Sequence, residues 1–269
     1  MLLLPLRMTG LCRDGLGTGV VSMNKRALRR VGLAAVAAGA ILAGDRADAA
    51  GGAFAVDDAE VGSPGECKVE SWASFASNRD QSSAVAPACV TQLGVPVELG
   101  GQFQHSRDDG AWSSGGTLRA KTNLIPVAGH PFGLTLSGGS TWDFASGANT
   151  GSFINVPLTL PIRDGFRINL NGGWQYDATV KIHYATWGAG FEWNFVKPMT
   201  LIGEIYGQSG RLSVADEEEA PPPNSILEPR SQIGLRVTPK DNIDLDLIWG
   251  RNITGENAHW LTLGLNLRF

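Results

Sequence analysis

From residue 166 to 176 the chain reads Phe-Arg-Ile-Asn-Leu-Asn-Gly-Gly-Trp-Gln-Tyr. Phe166, Ile168, Leu170, Trp174 and Tyr176 share one parity, and Arg167, Asn169, Asn171 and Gln175 share the other. Successive side chains of a β-strand point to opposite faces, so this is a strand with one apolar and one polar face. The pattern recurs. Val95, Val97, Leu99 and Phe103 oppose Glu98, Gln102 and Gln104; Trp187, Ala189, Phe191, Trp193 and Phe195 oppose Tyr184, Thr186, Glu192 and Asn194. Ile243, Leu245, Leu247 and Trp249 oppose Asp244 and Asp246. No stretch from about residue 66 onward carries a helical period.

The alternation predicts about twelve strands, near 66–76, 84–93, 95–105, 115–124, 132–143, 151–160, 166–176, 183–195, 199–209, 230–238, 242–250 and 257–269. About ten residues is what a tilted strand needs to cross a bilayer. The connections alternate in kind. One set is mostly short: Leu93–Val95, Pro161–Gly165, Val196–Pro198 and Thr238–Asn242, with Ile125–Pro131 on the same side by parity. The other set is expected to be longer and polar: Ser77–Ser83, Ser106–Ser114, Ala145–Thr150, Asp177–Ile182, Gly210–Pro229 and Arg251–Glu256. The longest contains Asp216-Glu217-Glu218-Glu219 and Pro221-Pro222-Pro223, which cannot be sheet and reads as a solvated loop. Short turns on one side and long loops on the other are the asymmetry of an outer-membrane barrel. Phe132, Phe166, Phe195 and Phe269 fall at the short-turn end, and Trp142, Trp174, Tyr176 and Trp249 near the other, as two aromatic girdles. The fold class is therefore all-β, a membrane-spanning antiparallel up-and-down β-barrel of about twelve strands. The competing fold is a soluble sandwich or lipocalin-like barrel, in which the apolar faces would point inward.

The chain stops on Leu261, Leu263, Leu265, Leu267 and Phe269 in unbroken alternation. This ending resembles the C-terminal signature of bacterial outer-membrane proteins. The resemblance implies that Phe269 closes the last strand and serves as a signal to the barrel-assembly machinery. More loosely, Asp57-Asp58-Ala59-Glu60, Pro64-Gly65-Glu66-Cys67 and Pro87-Ala88-Cys89 are similar to outer-membrane proteins grouped with the MetA pathway of phenol degradation. That likeness implies uptake of small, aromatic or hydrophobic compounds.

The front of the chain reads as an export signal. Met23 to Arg30 is a basic stretch, Val31 to Gly44 a short apolar one, and Ala47-Asp48-Ala49 a cleavage site, with Met23 a candidate true start. Residues 1–49 form the expected signal peptide, 50–65 a periplasmic or lumenal segment, and 66–269 the barrel. The 50–65 segment, with Asp57, Asp58 and Glu60, is expected as a solvated tail in preference to a plug; its acidic spacing matches no calcium loop. The first 49 residues hold seven Lys/Arg and three Asp/Glu; without them 15 basic and 23 acidic residues remain, a net charge of −8. That balance argues against nucleic acid as a partner. Cys67 and Cys89 then remain as an even pair on the first two strands, an expected disulfide.

If the apolar faces meet lipid, the polar faces line the lumen. The expected pore-lining residues are Glu98, Arg119, Lys121, Asp143, Arg167, Glu192, Glu204, Arg236, Asp244 and Asp246. They would either pair to stiffen the wall or set a field that selects solutes. No zinc spacing or phosphate loop is present, and no cofactor or catalytic residue is expected. None of His105, His130, His183 and His259 forms a His-x-Ser pair on one strand face, although a serine from another strand remains open. The expected function is passive diffusion of small solutes across the bacterial outer membrane. The alternatives are a structural or surface-interaction barrel, and a lipid hydrolase.

Overall fold

In the computed structural model, residues 53–108, 110–214, 226–254 and 257–269 are described. The expected signal peptide and the acidic, proline-rich run 215–225 lie outside these residues.

The described chain forms twelve strands: β1 (Cys67–Ala76), β2 (Gln81–Leu93), β3 (Val95–Asp108), β4 (Ala111–Ile125), β5 (Gly133–Asp143), β6 (Asn149–Arg163), β7 (Phe166–Asp177), β8 (Ile182–Val196), β9 (Met199–Val214), β10 (Ile226–Lys240), β11 (Ile243–Asn252) and β12 (His259–Arg268). Each pairs antiparallel with its sequence neighbours, and β1 also pairs with β12, so the sheet closes. The closing register runs from Lys68 opposite Arg268 to Ala76 opposite Trp260. Beyond it, Phe269 N–H donates to the Cys67 carbonyl and Cys67 N–H to the Phe269 carbonyl. The last residue is thus the final rung of the seam. A closed barrel leaves no unpaired edge, which is the condition for placing strands in lipid.

The sidedness is inverted relative to a water-soluble protein. Phe103 and Leu118 are each 64% exposed, and Leu99, Leu136, Leu247, Trp249, Leu261 and Leu263 lie on the same outer surface. The buried side chains are instead charged and polar: Arg236 is 2% exposed and Asp244 fully buried, with Glu98, Lys121, Glu192 and Asp246 close behind. A water-soluble sandwich or lipocalin would bury the leucines and expose the charges.

Two features differ from the sequence-based expectation. The far-side loops are shorter, because strand pairing runs past the apolar band. The Ser106–Ser114 loop is a tight hairpin in which Ser106 pairs with Ser113 and Asp108 with Ala111. A ladder needs only backbone hydrogen bonds, so it continues where alternation vanishes. The second difference concerns the segment before β1, which lies inside the barrel.

Candidate functional site

The wall of the lumen is a set of cross-strand ion pairs. Opposite residues on adjacent strands share a face, so alternating charges on neighbouring strands meet. Lys68 and Glu70 project inward from β1, where the facing β2 positions are the small Ala88 and Ala86. Lys68 pairs with Glu70 at 3.3 Å and with Glu98 on β3 at 3.2 Å, and Arg119 on β4 reaches Glu70 at 3.1 Å. On the other side Arg167 of β7 pairs with Glu192 of β8 at 2.8 Å, and Asn169 Nδ2 donates to the same carboxylate at 2.7 Å. Arg236 of β10 grips Asp246 of β11 with two bonds, Nε to Oδ1 at 2.7 Å and Nη2 to Oδ2 at 3.0 Å. Asn266 adds a third donor to Asp246 at 3.0 Å. Arg268 pairs with Asp244 near the closing seam. Such pairs offset the cost of holding charge out of bulk water when their remaining valences are also bonded, as they are around Asp246, whose two oxygens accept from Arg236 and Asn266.

Across this lumen runs the segment 53–66. It leaves the wall at Gly65, whose backbone has φ +95°, a conformation that favours glycine. Gly65 N–H donates to the Val90 carbonyl, and Val90 N–H to the Glu66 carbonyl. At the opposite wall Phe54 packs on Ile202 and Ile248, under the guanidinium of Arg236, whose carbon lies 5.3 Å from the ring centre. Between these ends the wall takes up the segment's main chain. Glu204 accepts from Ala55 N–H at 3.0 Å and Val56 N–H at 3.2 Å. Asn171 accepts from Asp57 N–H at 2.8 Å and donates to the Asp57 carbonyl at 2.6 Å. Thr159 Oγ1 accepts from Ala59 N–H at 2.8 Å.

The segment's acids meet the wall's cations. Lys121 Nζ contacts Asp57 at 2.8 Å and Asp58 at 3.3 Å; Arg167 contacts Asp58 at 3.3 Å and Glu60 at 3.0 Å. The expected solvated tail is therefore corrected. An irregular segment with exposed amides is stable only where its N–H groups find partners, and the polar wall supplies them. Toward the far-side loops, above the segment, the lumen opens into a polar cavity of about 640 Å³ lined by Ser74, Asn78, Gln104, Gln232, Asn252 and Thr262. Beneath the segment, beside Asp57, a cavity of about 90 Å³ is lined by Lys68, Glu70, Glu98, Arg119 and Lys121.

Of the ten expected pore-lining residues, nine face this lumen. Asp143 does not join them. It ends β5, and its carboxylate accepts from Ser146 N–H at 2.8 Å and Ser146 Oγ at 2.6 Å, fixing the exposed turn to β6. An aspartate at a strand end bonds its own turn more readily than a distant wall. Sequence reasoning missed Lys68 and Glu70, although their parity opposite Val69 carried the signal. It also missed Arg268 as a lumen group, whereas Asn169 and Asn171 stood on the polar face read as lumenal, and Asp57, Asp58 and Glu60 lay in a segment expected outside the lumen in preference to inside it. Cys67 and Cys89 lie directly opposite each other on the outward faces of β1 and β2 and are joined by a disulfide.

One polar pair sits outside the barrel. His105 on β3 and Ser114 on β4 are opposite in register, and His105 Nδ1 lies 2.8 Å from Ser114 Oγ. The imidazole is stacked on Trp112 at 4.5 Å. No carboxylate or amide orients this imidazole among the described residues. Nor does any group of three His, Cys, Asp or Glu side chains among them suit a metal ion.

Residues 38–269 match the model of a family described as uncharacterised conserved protein UCP029691. The chain belongs to this family. No curated protein sequence matches it. The fold is that of solved porins. The KdgM porin superposes with a TM-score of 0.57 at 9% identity, over 75% of this chain and 99% of that one. The NanC porin gives 0.57 at 7% identity, over 74% and 98%. The COG4313 outer membrane channel from Pseudomonas putida F1 gives 0.57 at 12% identity, over 79% and 98%. At these identities the likeness is one of architecture.

Proposed function

We propose that the family member described here is a bacterial outer-membrane channel for small polar solutes, with segment 53–66 as its plug. The observation that carries this reading is the polar lumen, crossed by a segment that is held by hydrogen bonds and ion pairs. The polar groups of water or of a solute can replace such contacts, whereas a packed apolar core has no such substitute. The exterior suits lipid, and the porin-like architecture supports the same placement. A lumen lined by paired charges favours polar solutes over the aromatic compounds that the MetA-pathway likeness implied. In this reading residues 1–49 are removed on export, lipid surrounds the barrel, and Phe269 is read by the assembly machinery.

The test is conductance of residues 50–269 in planar bilayers, beside a variant lacking residues 53–62. Discrete steps that grow or become more frequent in the shortened protein are expected. If both proteins fold as barrels and stay silent, the channel reading falls and a structural or surface-interaction role takes its place. The His105–Ser114 pair gives the lipid-hydrolase reading one supporting observation. That reading requires release of fatty acid from phospholipid vesicles, lost in Ser114→Ala.

A further inference from the structure

The segment's acids occupy a place that a solute could take, and the geometry says which kind. Asp58 is fully buried and divides its carboxylate, one oxygen to Lys121 on β4 and the other to Arg167 on β7. Those strands are not neighbours in the sheet, and it is this carboxylate in mid-lumen that links their two cations. Both ion pairs of Lys121 within the described residues are made with the segment, Asp57 and Asp58. Its cross-strand neighbour Glu98 already holds Lys68. Arg119, which lines the adjoining cavity, has a buried Nε with no hydrogen-bond partner among the described residues. With the segment gone, Lys121 loses its described pairs, Arg167 keeps Glu192, and Arg119 has a donor in reserve. Beside them, Asn171 and Thr159 offer neutral hydrogen bonds, and Glu204 accepts from donor groups of the occupant.

We infer that Lys121 and Arg167, with Arg119 beside them, form an anion subsite of the channel, held in this structure by the carboxylates of Asp57, Asp58 and Glu60. The solute class is a small molecule or short peptide with two or more carboxylates, which displaces the plug by taking its cations. This inference rests on the channel reading and adds a substrate class to it. Paired cations prefer a multivalent anion to chloride because one ligand satisfies both at a single loss of freedom. A ligand that competes with docking shifts the plug toward release in proportion to its occupancy of the vacated site.

Two measurements test it. The first uses the full mature chain carrying Val56→Cys, since Val56 is buried in the docked segment and release of the segment would expose it. The neutral reagent methyl methanethiosulfonate labels it when the plug opens. Propane-1,2,3-tricarboxylate at about 10 mM should raise the labelling rate at least about fivefold over chloride at equal ionic strength, and glycerol should not. The acetylated, amidated peptide Asp-Asp-Ala-Glu separates a peptide-preferring site from a general tricarboxylate site. Arg167→Gln should abolish the acceleration, and Arg167→Lys should restore part of it. Equal rates in tricarboxylate, peptide and chloride overturn the inference.

The second measurement uses the variant lacking residues 53–62 in a bilayer with a KCl gradient. Anion preference in the reversal potential is expected, with current interrupted by added tricarboxylate and cation preference after Lys121→Gln. A conducting but cation-selective pore overturns the anion subsite and leaves the channel reading standing. If the shortened and the full protein both fold and stay silent, the channel reading falls, and labelling of the full chain still decides whether these cations bind the tricarboxylate.

Discussion

Replacing Asp58 by Asn keeps the shape of the plug and removes its central charge. The Asp58 carboxylate faces Lys121 Nζ and Arg167 Nη2, each at 3.3 Å, and accepts from Glu60 N–H at 3.1 Å. An amide retains one acceptor and turns its N–H₂ toward a cation. Neutralising one partner of a buried ion pair costs about 3–5 kcal/mol. The lower end applies here, because Lys121 keeps Asp57 at 2.8 Å and Arg167 keeps Glu192 at 2.8 Å. At about 1.4 kcal/mol per tenfold, 3 kcal/mol multiplies the undocked population roughly 150-fold. The reporter is again methyl methanethiosulfonate labelling of Val56→Cys. When reclosing outpaces modification, the rate follows the open fraction, and the unknown docking energy cancels in the ratio of two variants. Asp58→Asn should label about a hundred times faster than the Val56→Cys parent. A ratio below about threefold refutes the reasoning. The main-chain bonds to Glu204, Asn171 and Thr159 would then suffice to hold the segment.

Gly234→Val should open the plug from the other end: a Cβ there would lie 2.9 Å from Ile248 Cγ1 and 3.0 Å from Phe54 Cζ. Overpacking of this kind costs about 1–3 kcal/mol, so labelling should rise at least about fivefold, and an unchanged rate would show that Phe54 is not seated there. Leu118→Arg, in the middle of β4 on the outer face, should weaken folding into lipid vesicles by about 2–4 kcal/mol, whereas Gln102→Arg on the lumen face should be far milder; equal losses in urea titrations would contradict the sidedness. Replacing Cys67 and Cys89 together by Ala opens a loop of 22 residues and should lower stability by up to about 3 kcal/mol, read as an earlier unfolding midpoint that reductant no longer shifts. Deleting Phe269 removes the last rung of the β1–β12 seam and should reduce assembled barrel in membranes; normal assembly would remove the terminal residue from both roles.

Alternation was enough to place every strand of the barrel, because a side-chain period of two is a local property of the chain. Leu261 to Phe269 declared their outer face without reference to any other residue, and Arg167, Glu192, Asp244 and Asp246 declared the inner one. Loop length was less legible: the far-side β3–β4 connection is a tight hairpin, and the near-side connection between Ile125 and Gly133 is longer than it. So were the ends of the strands: between Ser106 and Ser114 most residues are polar and no alternation marks where pairing stops. Asp143 shared the parity of the lumen and still bonded its own turn, a choice made by local geometry at a strand end.

The segment 53–66 had no period to read. Its small residues and four acids fit a solvated tail as well as a plug, and the sequence contains nothing that separates them. What separates them is the closure of twelve strands. Closure brings Lys121 of β4 and Arg167 of β7 to the two oxygens of one carboxylate, Asp58, and sets Glu204, Asn171 and Thr159 along the same segment. The sequence by itself determined an apolar outside and a charged inside. Only the tertiary structure decided what the inside charges bind, because ion pairs and hydrogen bonds act over a few ångströms between residues far apart in the chain.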